Sequence, residues 1–149
     1  MAKGIVLLIM GPSLIKWSSF LAIQAAKREA AEVYALLDGD MELSPEIYRT
    51  FVAIRNKARS EGVDFDFYTV SREGLEASLM DILKQKKAFQ VVVGVSDKKE
   101  IASAEAWLRA VETKLKADSD WYYPSLRFLV VATPNDPEGL EFVERYFQD

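Results

Sequence analysis

The chain has 149 residues, 50% of them hydrophobic and 28% charged, the make-up of a single globular domain rather than a disordered segment. Its net charge of −4 disfavours a general nucleic-acid binder, because such proteins need a basic face to displace counterions. Cysteine and histidine are both absent, which excludes disulfides, thiol catalysis, cysteine-held zinc and the Ser-His-Asp triad, and leaves carboxylates, lysines, hydroxyls or a bound cofactor to carry any catalysis.

Lys3 followed by "GIVLLIM" (4–10) has the outline of a signal peptide, but the apolar run is short, Gly11-Pro12 interrupts it and no small-residue cleavage site follows. It reads as a buried first strand. From Lys16 to Arg28 the spacing of Trp17, Phe20 and Leu21, with many alanines, predicts a helix. "EVYALLD" (32–38) is the second strand. Ser44-Pro45-Glu46 starts a helix, with Ser44 as cap and Pro45 at the first helical position, and the helix stops near Gly62. "VDFDFYTV" (63–70) alternates, so the third strand has one wet side. A helix over 72–87 carries Leu75, Leu79, Ile82 and Leu83 as its apolar stripe. "FQVVVGV" (89–95) is the fourth strand, followed by a helix through Leu115. "SLRFLVVAT" (125–133) is the fifth. A last helix in the acidic tail 134–149 buries Leu140, Val143, Tyr146 and Phe147.

This alternation means one α/β domain: a doubly wound, five-stranded parallel sheet with helices on both faces and an extra C-terminal helix. Strands covered on both faces read as unbroken apolar runs, which suits residues 5–10 and 91–95 to the centre. Alternating 63–70 and Arg127-bearing 125–133 suit edges. The order is therefore 3-2-1-4-5, with a ligand crevice where the first and fourth strands end. No segment approaches the length of a membrane span, and a cytoplasmic location is expected.

Two loops should line that crevice, "MGPSLIKWSS" (10–19) and "GVSDKKE" (94–100), with "LLDGD" (36–40) beside them. The candidate ligand-binding residues are Gly11, Ser13, Lys16, Asp38, Gly94, Ser96 and Lys98, with Asp40 and Lys99 at the same rim. The second loop reads in two ways. Free N–H groups at a helix start, with adjacent lysines, suit a phosphate. Alternatively Asp97-Lys98-Lys99-Glu100 is a capping box, in which Asp97 bonds the backbone at residue 100 and Glu100 reaches back. Elsewhere, Asp64 and Asp66 could hold a cation or form a solvated edge, and "WYYP" (121–124) reads as a packing cluster or a surface for a protein partner.

There is no G-x-x-x-x-G-K-[ST], G-x-G-x-x-G or G-x-S-x-G. A response-regulator receiver is disfavoured too: no acidic pair ends the first strand and no lysine follows the fifth. Over residues 4 to 133 the chain resembles the universal stress protein family, which has a Rossmann-like fold of the adenine nucleotide alpha hydrolase kind. "IVLLIMGPS…FLAIQAAKREAAEVYALL", "SEGVDFDFYTVSREGLEASLMDILKQKKAFQVVVGVS" and "LRFLVVATP" carry the resemblance. It implies a homodimer joined through the fifth strand, with Arg127, Phe128 and Val130 at the interface. ATP-binding members carry an Asp where the first strand ends and G-x₂-G-x₉-G-[S/T] after the fourth. Here Met10 stands at or beside the Asp position; Gly94 matches the first glycine, but Asp97, Trp107 and Leu108 replace the rest. The expectation is a dimeric, non-catalytic stress-response or signalling module without a cofactor. A divergent nucleotide or anion binder using the crevice, ATP included, is the alternative.

Overall fold

A strand that is apolar at every position must be covered on both sides, because successive side chains point to opposite faces. Residues 4–9 are such a strand, buried throughout, and they form the centre of the sheet. The computed structural model describes residues 3–38, 44–71, 73–117 and 126–148, with only the backbone at Pro12 and Asp38. Its strands are β1 (Lys3–Ile9), β2 (Ala31–Asp38), β3 (Phe65–Val70), β4 (Ala88–Val95) and β5 (Arg127–Ala132). Between and after them run α1 (Ile15–Glu29), α2 (Pro45–Ser60), α3 (Leu75–Gln85), α4 (Lys99–Lys116) and α5 (Pro137–Tyr146). All neighbouring strands pair in parallel, in the order β3-β2-β1-β4-β5. The expected fold and the expected edges are both found.

One face of the sheet (Ile5, Leu7, Ile9, Val33, Ala35, Val92) packs against α1, α2 and α5. The other (Val6, Leu8, Val91, Val93, Val95) packs against α3 and α4. At β3 the pattern is Phe65 buried and Asp66 and Tyr68 exposed, as its alternation predicts. "WYYP" (121–124), Asp40 and Arg72, the first residue of the expected third helix, lie outside the described residues.

Helix ends explain where the expected boundaries shift. α1 closes at Ala30, which takes a left-handed conformation (φ 52°) and returns its N–H to the carbonyl of Ala26. A left-handed alanine is costly, so it is the pairing of Ala31 with Lys3, not local preference, that stops this helix. α2 begins as the sequence requires: the Ser44 hydroxyl accepts the Ile47 N–H at 3.2 Å, and Pro45 is the first helical residue. In α5, Val143 and Phe147 are buried and Tyr146 is half-buried, as expected. Leu140 is not: it is 44% exposed, because the first turn of α5 borders an open cavity.

Candidate functional site

The described crevice residues are set by chain reversals after β1 and β4 and by the end of β2. After β1, Met10 and Gly11 lead into a 3-10 turn (Pro12–Leu14), closed by the Leu14 N–H on the Gly11 carbonyl at 3.1 Å. A side chain at Gly11 would meet only open space, so no close backbone approach requires glycine there. Ser13 is exposed. Lys16 reaches away from the sheet to α5, where its Nζ lies 2.6 Å from Glu144 Oε2.

After β4 the chain turns through Ser96, Asp97 and Lys98 into α4. Both the N–H and the hydroxyl of Ser96 donate to Glu100 Oε2, at 3.0 and 2.9 Å. Asp97 Oδ1 accepts the Lys99 N–H at 2.9 Å. The loop is thus closed by its own carboxylates, but not as the predicted box. Asp97 bonds residue 99 instead of 100, and Glu100 reaches Ser96 instead of Asp97. The reason is that α4 starts at Lys99, leaving Asp97 one residue outside the cap and able to make an Asx turn. Lys98 and Lys99 are exposed.

Gly94 does not face the crevice. It lies on the α1 side, where an added Cβ would stand 2.4 Å from Ser18 Oγ and 3.1 Å from Trp17 Cδ1. Its glycine character serves helix–sheet approach, a role similar to the packing glycine of dinucleotide folds and unlike a phosphate-cradling one. Trp107 and Leu108 sit well inside α4, so helix occupies the stretch where a long glycine loop would run. Asp38 ends β2 opposite Val70.

The candidates therefore divide. Ser13 and Lys16 line a cavity of about 400 Å3 between α1, α2 and α5, together with Thr133 and Glu144. Gly94, Ser96 and Lys98 line neither this cavity nor the one on the opposite face. Sequence reasoning missed Thr133, whose N–H and hydroxyl both bond the Val95 carbonyl (2.7 and 3.0 Å) and tie the end of β5 to β4. A hydroxyl at the end of an edge strand was the available signal.

α5 is anchored beyond Glu144 by Tyr146. Its hydroxyl donates to Glu61 and accepts from Gln24 Nε2 at 3.2 Å. Burial, and then the bond to Glu61, hold the Tyr146 phenol well above the usual tyrosine range. Tyr34 on β2 is raised for the same two reasons, with Glu32 as its acceptor.

At the expected interface, Arg127 is exposed and bound within its own chain: its Nη2 is 3.1 Å from Glu29 Oε1, and its guanidinium lies over the Phe89 ring at 5.2 Å. Phe128 and Val130 are half-buried against the α3–α4 core. Among the described residues no group of three acidic side chains could hold a metal ion, Asp64 and Asp66 included, and no helix is long and apolar enough to cross a membrane. No family model, curated protein or solved structure matches this chain.

Proposed function

We propose that the chain is a universal stress protein-like module without catalytic activity, acting in the cytoplasm as a homodimer joined through β5, and that it does not bind ATP by the family's phosphate loop. The observation that supports this reading best is the loop before α4. A phosphate there would compete with Glu100 for the Ser96 N–H and hydroxyl, and would meet the carboxylate of Asp97. Lys16, the nearest cation on the opposite loop, is engaged with Glu144. A helix start gains its anion affinity from unsatisfied N–H groups, and here Glu100 and Asp97 take those of Ser96 and Lys99 while backbone carbonyls take those of Glu100 and Ile101.

The dimer would use the outer edge of β5, which no other described residue pairs with and whose residues 128–132 are half-buried and apolar. An uncovered parallel edge invites pairing, and a two-fold axis closes it. The exposed lysines at 98 and 99 favour the second reading, a divergent anion binder at the same rim. Native mass spectrometry with and without Mg-ATP tests both. A bare dimer unchanged by ATP is expected. A monomer at tens of micromolar removes the assembly, and a nucleotide-sized adduct restores the crevice as a phosphate site.

A further inference from the structure

The face of the sheet away from α1 holds its own cavity, about 440 Å3, again at the C-terminal ends of β1 and β4. That volume is in the range of small-molecule sites, and the position is the topological switch point of the sheet. Leu8 and Val93 make the floor, and Leu75 and Leu108 belong to the walls. Ser103 and Ala104, both small, leave room on the α4 side.

Two side chains give this cavity its character. Met10 follows six buried residues of β1 yet is 40% exposed, holding a thioether at the cavity edge. Trp107 packs against the α3–α4 core and is half-buried in the lining. Thioether and indole are both favourable neighbours for an aromatic ring.

The lining is also one-signed. Among the described residues its charged side chains are Glu73 and Glu76, with no lysine or arginine in the lining. Glu76 Oε1 is already 2.6 Å from Lys114 Nζ. Among the described residues Glu73 has no cation partner. Such a site repels phosphates and carboxylates and suits a ligand carrying a positive charge.

We propose that this cavity binds a small aromatic amine, its ring packed against Trp107 and Met10 and its ammonium directed to Glu73. The proposal is independent of the β5 dimer and of the Ser96–Glu100 turn, neither of which contributes a residue, although Met10, Trp107 and Leu108 stand at positions the ATP-binding signature would occupy.

Tryptamine and indole-3-acetate share a ring system and differ in charge, which makes them matched probes. Titrated into the full chain carrying ¹³C-methyl methionine, tryptamine is expected to shift the Met10 methyl saturably. Met10→Leu assigns that resonance. Indole-3-acetate is expected to bind at least about tenfold more weakly, the consequence of one lost ion pair and one repulsion. Glu73→Gln, at an exposed position, should reduce the preference to within about threefold. Ala104→Leu, which fills the cavity, should abolish the shift. Equal affinity for the two probes, no saturable shift at Met10, or binding that survives Ala104→Leu each overturns the proposal. If Ala104→Leu fails to fold, the Glu73→Gln comparison decides it alone.

Discussion

Gly94 shows how a residue can be recognised correctly and given the wrong task. Its sequence context, an aliphatic strand entering a helix, is that of a phosphate-loop glycine, but its α-hydrogens face Ser18 and Trp17. Among the described residues the buried hydroxyls of Ser18 and Ser19 have no hydrogen-bond partners. Gly94→Ala should therefore destabilise the chain by about 1–3 kcal/mol through overpacking. Ser18→Ala removes an unsatisfied buried hydroxyl and should be neutral or stabilising. The double variant should recover part of the Gly94→Ala loss, as urea denaturation of the four proteins would show. Strict additivity would mean that the two sites do not press on each other. Ala30 offers a related test: Ala30→Gly should leave stability unchanged or raise it by up to about 1 kcal/mol, because relief of a left-handed alanine is set against glycine's entropy.

Among the elements, α5 shows the reach and the limit of periodicity. Its apolar spacing reveals Val143 and Phe147 as buried positions, but not what they are buried against. The answer lies far away in the chain: Lys16 and Glu144 are 128 residues apart, and Tyr146 meets Glu61 across 85. Local propensity contains no such information. Because the folded state raises the Tyr146 pKa, the unfolded chain loses that proton first as pH rises. The stabilisation is complete below the ordinary tyrosine value and is lost as pH rises above about 10. Thermal midpoints of the wild type should fall more steeply above that pH than those of Tyr146→Phe. Parallel curves would show that the phenol does not titrate with folding. The Ser44 cap was legible because Pro45 marks the first helical position, whereas no such marker fixes the start of α4 at Lys99, and the Asp97–Glu100 turn slipped by one.

At the scale of the molecule, the strand order was readable because solvent access writes itself into composition. Central strands are unbroken apolar runs and edge strands are interrupted by Asp66 or Arg127. Amide exchange should follow the same order, slowest in β1 and β4 and fastest in β3 and β5. In the proposed dimer, β5 amides should gain protection as protein concentration rises, and concentration-independent exchange there would count against the interface. The cavity beside Met10 was not legible as a site in the sequence, because Leu8, Leu75, Val93 and Leu108 read as ordinary core and nothing local shows that Met10, Glu73 and Trp107 meet them. The low seat of α1 on the sheet, through Ser18, Ser19, Ala22, Ala25 and Ala26, has a bearing on this scaffold's history. Larger side chains at these buried positions are obstructed, so they tolerate only residues of similar or smaller size. Drift under α1 is thereby confined to a narrow alphabet, while the cavity-lining positions on α3 and α4 have room to sample larger side chains. New binding specificities in descendants of this chain should arise unequally on its two faces.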